Sequence, residues 1–379
     1  MSTVPRPSVP LNVIGEHADA VDRDARFPSE AVAALRASGL LGLSVPEAFG
    51  GLAAGPVEVA ETIEEISRAC ASTSMVFTMH VVAAATLAAG TDPADRGPRG
   101  AALRAIAAGE HLTTLAYSER GSRSHFWAQV SRAEPIAGGI RFDADKSWVT
   151  SAGACDSILV AVGAPGHDDP LMTELYLVDA TAPGITIEGA FDGLGMCGNG
   201  SSPVRFRGVE VADDRRVGAA ASGFATMMSA TLPSFVLGCG ACCVGMAGAA
   251  LDLAVAHVSD ARLEHLGATL ADVQTVRTRL GSAKVLHLQA RALVYEVAGQ
   301  LAAGDPAAQI GVLALKTACA EMAIAVTDEA MRVCGGAAFS RQLPVERYFR
   351  DARAAAVMAP TTDVLRDLLG KALCGQPLF

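Results

Sequence analysis

The chain has 379 residues, 51% of them hydrophobic, and a formal net charge of −10. This composition describes a well-cored globular protein of two or three domains and excludes a disordered chain. The acidic balance argues against nucleic-acid partners and against an anionic membrane surface, although a few local arginines are enough to hold a phosphate.

The opening Met1-Ser-Thr-Val-Pro5 lacks the charged-then-apolar layout of a signal peptide. The nine cysteines therefore suggest reduced thiols in a cytoplasmic protein rather than a disulfide framework. From Asn12 to about Gly109 the pattern is helical. Phe27-Pro-Ser-Glu-Ala-Val-Ala-Ala-Leu-Arg36 places apolar residues three and four apart after a Pro-Ser start. The run Gly39-Leu-Leu-Gly-Leu-Ser-Val-Pro46-Glu-Ala-Phe-Gly50-Gly51 breaks it, and Val57 to Ala69 and Ser74 to Ala89 supply two further helices. His80 stands in an apolar stretch of the second, where a lone histidine is more often a satisfied core residue than a catalyst.

Between Thr113 and Val217 the pattern becomes strand-like, in Asp156–Val162, Glu174–Val178 and Pro203–Val211, bounded by Gly, Pro and Asp turns. A span without charge follows, from Val217 to Leu251, long enough to cross a bilayer. It holds Pro233 and many Gly and Ala, which favours a helix buried at the centre of a helical domain. Its Cys239-Gly-Ala-Cys242-Cys243 cluster has no second Cys/His pair nearby, so core packing is expected and no metal site. Val236–Ser259, Thr269–Leu301, Pro306–Cys334 and a short Val364–Leu373 complete a helical bundle. The expected fold class is mostly α with a middle β domain, divided at 1–112, 113–217 and 218–379.

Three stretches carry chemistry. Tyr117-Ser118-Glu119-Arg-Gly-Ser122-Arg-Ser124-His125 crowds hydroxyls and amides into a loop, suited to a polar heterocycle or a phosphate. Asp145-Lys146-Ser-Trp148-Val-Thr150-Ser151 sets a tryptophan beside two hydroxyls. Near the end, Cys334-Gly335-Gly336 stops a helix, Pro344-Val-Glu-Arg347 and Arg350-Asp351-Ala352 follow, and Thr361-Thr362-Asp363 offers caps for the last helix.

Taken in order, these stretches resemble the acyl-CoA dehydrogenase family from about Glu16 to Leu373. That family shows Val-Pro-Glu with Gly-Gly near the start, Thr-Glu-Pro-Gly-Ala-Gly-Ser-Asp, Lys-x-Trp-Ile-Thr, and a Gly-Gly turn leading to Pro-Val-Glu-Arg and Arg-Asp-Ala. Leu194-Gly-Met-Cys197-Gly-Asn-Gly-Ser-Ser202 is similar to another family turn, with Cys197 in place of Arg. Arg262, with Leu270 and Gln274, resembles an Arg-x-x-Phe-Gly…Leu…Gln segment that reaches the FAD of a neighbouring subunit.

The resemblance implies an N-terminal helical domain, a β-barrel-like or sandwich domain and a C-terminal four-helix bundle. It implies FAD, an acyl-CoA or acyl-carrier-protein substrate, and a homo-oligomer, dimer or tetramer. An electron-transfer flavoprotein would accept electrons from a dehydrogenase. Tyr117, Ser118, Ser124, Trp148, Thr150, Ser151 and Thr361 would hold the cofactor, together with Arg262, Gln274, Gly335 and Gly336.

One departure matters most. Where the family has Glu-Gly-Thr, with Glu removing the substrate's α-proton, this chain has Ala359-Pro360-Thr361. The family's second address for that Glu aligns with Phe235, and Thr231 to Gly238 holds no acid. Glu119, His125, Asp363 and His80 remain as candidate bases. Three readings stay open: dehydrogenation with a base from elsewhere, other flavin chemistry such as monooxygenation or a desulfinase-like elimination, and binding without turnover.

Overall fold

The computed structural model describes residues 6–379; the Met1–Pro5 segment, on which the leader reading rests, lies outside them. Five helices come first: α1 Leu11–Arg23, α2 Ser29–Ala37, α3 Pro56–Ala69, α4 Ala71–Ala89 and α5 Pro98–Ala107. In α1 the buried residues Ile14, Ala18 and Val21 recur at helical spacing, and α3 opens on Pro56, whose missing N–H needs no partner in a first turn. α4 is buried almost all round, so its sequence shows no polar stripe.

Eight strands follow: β1 Thr113–Ala116, β2 Ala133–Ile136, β3 Gly139–Val149, β4 Ser157–Gly163, β5 Thr173–Asp179, β6 Ile185–Ile187, β7 Ser202–Ala212 and β8 Arg216–Val217. They make two four-stranded sheets, ordered β1-β4-β5-β8 and β2-β3-β7-β6. β4 is buried along its whole length, whereas β3 and β7 largely alternate buried and exposed residues, as one-sided strands do.

The C-terminal helices are α6 Gly223–Asp260, α7 Gln274–Ala303, α8 Ala308–Cys334, α9 Val345–Asp351 and α10 Thr362–Leu373. The architecture is the expected one, mostly α with a β domain between helical parts. α6 is its axis, packed against α3, α4, α7 and α8. α4, α6 and α8 are long and apolar enough to cross a membrane by length and composition, yet 94% of the most apolar stretch of α6 is buried inside the fold. Close approach depends on glycine: a Cβ at Gly245 would sit 2.3 Å from the Glu64 carbonyl oxygen of α3. α6 also starts well before the expected Val236. A π-helical turn over Met227–Thr231 shifts the hydrogen-bond register, and Pro233 falls in the first turn after it, where its lack of an N–H is tolerated.

An ionic knot ties the first and last helical parts together. Arg350 binds Asp22 through both terminal nitrogens and Glu346 through Nε, and Arg347 binds Asp19. Beside them Asp351 is buried and accepts the Met196 N–H at 2.5 Å. Burial pushes the Asp351 carboxyl up to about 7 from its ordinary 3.8. A raised folded-state value means that this group's contribution to stability is complete below pH 3.8 and is lost as pH rises through about 7. Asp351→Asn keeps an acceptor for Met196 but cannot titrate. Urea unfolding of the two proteins from pH 4 to 8 is expected to show the difference between them changing across that window. Parallel profiles would mean that Asp351 is ionised throughout.

Candidate functional site

The loop after β1 is held by a buried ion pair. Lys146 on β3 donates its three N–H bonds to Glu119 (2.8 Å), Gln129 Oε1 (2.7 Å) and the Ala161 carbonyl (2.5 Å), with the Tyr117 carbonyl at 3.3 Å sharing one of them. Glu119 also accepts the Val130 and Ser131 N–H groups and the Ser131 hydroxyl. Burial alone would raise the Glu119 pKa; the Lys146 charge and these donors outweigh it and hold the carboxyl below its usual range.

Two residues on, β3 bulges. Lys146 pairs with Val204 but Val149 with Ser202, so one extra residue is accommodated between them. Trp148 takes a left-handed conformation there (φ +59°), and its side chain turns out of the sheet, two-thirds exposed. Phe191 meets it edge-on, with ring centroids 6.2 Å apart.

Trp148 forms part of the wall of a cavity of about 980 Å³ between the β domain and the C-terminal helices. Tyr117, Ser118, Ser124, Trp148, Thr150 and Thr361 all line it, so the structure brings six of the predicted cofactor residues together. Ser124 accepts the Thr361 N–H (2.8 Å) and donates to the Thr361 hydroxyl (3.0 Å), which closes the β1 loop onto the last helix. Thr150 shares a hydrogen bond with Ser201 at 3.0 Å. The opposite wall is apolar: Met75 and Met79 from α4, Phe235 from α6, and Val357, Met358 and Ala359 from the C-terminal turn. Such a mostly apolar hollow with a few placed hydroxyls is the usual form of a cofactor and substrate site.

Other predicted residues lie elsewhere. Ser151 is buried in the turn behind Thr150, where its N–H donates to the Asn199 carbonyl. Arg262 is exposed and faces Glu264 at 3.8 Å, Gln274 begins α7, and Gly335 and Gly336 end α8; none lines the cavity. The candidate bases fare worse. Glu119 lines the cavity but is committed to Lys146. His125 and Asp363 face a separate cleft of about 440 Å³ beside Trp127 and Phe379. His80 is wholly buried: its Nδ1 accepts the Thr113 N–H, its Nε2 donates to the Leu41 carbonyl, and burial pushes it down to about 4. It is the core histidine that the sequence favoured.

Phe191, Asp192, Asn199 and Ser201 also line the cavity; Asn199 and Ser201 belong to the Leu194–Ser202 turn, whereas Phe191 and Asp192 lie in no motif that the sequence offers. Asp145 and Glu188 line it too, but both are paired with Arg205. Asp192 is the lining carboxylate without an ion pair among the described residues.

The set suits a planar cofactor with polar edges. Trp148 offers an uncovered aromatic face, and the hydroxyls of Ser118, Ser124, Thr150 and Thr361 line the same cavity. These features fit a flavin.

Comparison with known proteins agrees. The N-terminal domain of acyl-CoA dehydrogenases matches residues 11–97 and their C-terminal domain matches residues 221–374, together more than half of the chain. A probable acyl-CoA dehydrogenase of Mycobacterium tuberculosis is 29% identical over 95% of this chain and 91% of its own. The 3-sulfinopropanoyl-CoA desulfinase of Paraburkholderia xenovorans is 28% identical over 97% and 94%. The structure of butyryl-CoA dehydrogenase from Megasphaera elsdenii shares the fold with a TM-score of 0.88, at 22% identity over 96% of this chain and 97% of that one.

Proposed function

Because the chain belongs to the acyl-CoA dehydrogenase family, we propose that this FAD-dependent oxidoreductase dehydrogenates an acyl thioester between its α and β carbons. The acyl group rides on coenzyme A or on an acyl-carrier protein. The observation that carries this reading is the two-sided cavity, hydroxyl-rich and aromatic on one wall and apolar on the other. When bound, FAD supplies the hydride acceptor. Trp148, Ser118, Ser124, Thr150 and Thr361 hold it, and Met75, Met79, Phe235 and Val357 receive the acyl group and exclude water. The Ala359 N–H, which makes no hydrogen bond among the described residues, polarises the thioester carbonyl. Arg120 and Arg123 line the same cavity and form no ion pair among the described residues, which leaves them free for the carrier's phosphates.

Arg262, Gln274, Gly335 and Gly336 serve a neighbouring subunit in this reading. Exposed apolar residues on α7 and α8, Val285, Leu286, Leu288 and Ile310, support burial against a second copy in a dimer or tetramer. An electron-transfer flavoprotein takes the electrons, and nine unpaired cysteines support a cytoplasmic setting.

A second reading has a specific observation behind it. Both family addresses for the base, Ala359 and Phe235, face the cavity and neither is an acid. Dehydrogenation then leaves Asp192 or solvent to take the α-proton. Elimination of the kind named for the desulfinase relative, or a monooxygenation, needs no base at either address. Anaerobic titration of the FAD-loaded protein with a panel of acyl thioesters separates these. Bleaching of the flavin band by one of them is expected for a dehydrogenase. A band that shifts without bleaching would favour the second reading, and protein that takes up no FAD would sink both.

A further inference from the structure

Lys316 on α8 is fully buried and does not itself line the cavity. Its ammonium donates to the carbonyls of Ala355 (2.7 Å), Met358 (2.9 Å) and Pro360 (2.9 Å). Three acceptors match the three N–H bonds of the charged form; a neutral amine has only two, and would leave one carbonyl unmet. Burial lowers the Lys316 pKa, and no carboxylate forms an ion pair with it among the described residues. A buried charge without a counter-ion is unfavourable unless its hydrogen bonds are complete. Here they are.

The three carbonyls belong to the segment that gives the cavity Val357, Met358, Ala359 and Thr361. The Pro360 carbonyl is one end of a peptide whose other end is the Thr361 N–H, and that N–H donates to Ser124. A cation on the carbonyl polarises the amide and strengthens its N–H as a donor. An unbroken chain therefore runs from the Lys316 ammonium through one peptide to the hydroxyl loop of the β domain. We propose that Lys316 is a positioning residue: acting through the Thr361 peptide, it sets how the C-terminal wall is locked onto Ser124, and hence the affinity and the electronic setting of the flavin. This inference rests on the flavin reading of the Ser118–Ser124 wall.

The test compares wild type, Lys316→Met, Ser124→Ala and the double variant by FAD affinity, the absorbance band of bound FAD, and apo-protein melting. Each single change is expected to weaken FAD binding by about tenfold or more, with the double variant no weaker than the worse single one, because both break the same chain. The flavin band of Lys316→Met is expected to shift. A Lys316→Met protein that melts earlier but keeps its FAD affinity within about twofold and its band unmoved would show a purely structural lysine and overturn the proposal. Losses that multiply in the double variant would overturn it as well. Should Lys316→Met prove insoluble, Lys316→Arg carries the same readouts, since it keeps the charge but cannot centre three bonds on one nitrogen. Wild-type protein that takes up no FAD would sink the flavin reading instead. The Lys316 link is then decided by hydrogen exchange at the Thr361 amide, expected to quicken in Lys316→Met and overturned if it does not.

Discussion

Lys146→Met is expected to lower the unfolding free energy by about 3–5 kcal/mol, the usual consequence of removing one partner from a buried ion pair. The lysine and Glu119 are both almost wholly inaccessible. Without the ammonium, Glu119 keeps only the donors from Val130 and Ser131, and the acceptors at Gln129, Ala161 and Tyr117 lose their shared partner. Urea unfolding of the apo-protein measures this without the added stabilisation of a bound ligand. The double variant Lys146→Met/Glu119→Gln is expected to recover part of the loss, since the stranded charge goes with it. A single-variant loss below about 1 kcal/mol would mean that water reaches the carboxylate and that the pair does not brace the loop. The consequence for function is local. The same loop carries Ser118, Ser122 and Ser124, so FAD affinity is expected to fall with stability, and the double variant to regain part of both.

This brace also shows where reading the sequence stops. The helical frame is legible because α1 and α3 repeat apolar residues at helical spacing, and β4 is legible as a bounded apolar run. The Lys-Ser-Trp stretch is recognisable by residue type. Nothing local says that Lys146 points back across 27 residues to Glu119, so an acid in a hydroxyl-rich loop looks free when it is the most committed carboxylate of the site. His125 and Asp363 sit beside predicted cofactor residues in the chain, yet they face a different cleft, because neighbours along a loop or at a helix start point in different directions. Lys316 is invisible for a related reason: its partners are three backbone carbonyls, and carbonyls carry no sequence signal. The two empty base positions are legible from the family resemblance. What the fold adds is that Phe235 and Ala359, far apart in the chain, are walls of one cavity.

That convergence makes Phe235→Glu the variant with the largest expected gain. The residue sits on α6 just after the π-helical turn, almost fully buried and lining the cavity beside Thr231, so a carboxylate there is aimed by a rigid helix. The apolar wall that it shares with Met75 and Met79, and its own burial, would desolvate the charge and raise its pKa, which makes it a stronger base than a surface glutamate. A positioned base contributes about 10²–10⁴-fold to a proton transfer. If removal of the α-proton limits the wild-type protein, anaerobic bleaching of the FAD-loaded Phe235→Glu protein by an acyl thioester is expected to accelerate by a factor in about that range. Deuterium at the α-carbon should slow it. Ala359→Glu is the companion experiment, with a smaller gain expected because the new side chain rides on the turn before Pro360, whose fixed φ constrains its aim. An unchanged flavin band before substrate is added would show that neither substitution has disturbed the cofactor. Two folded, flavin-loaded variants with no gain would mean that a base at the family's own addresses does not help. The chemistry would then not pass through loss of the α-proton, and elimination or monooxygenation would become the better account of why both positions lack an acid.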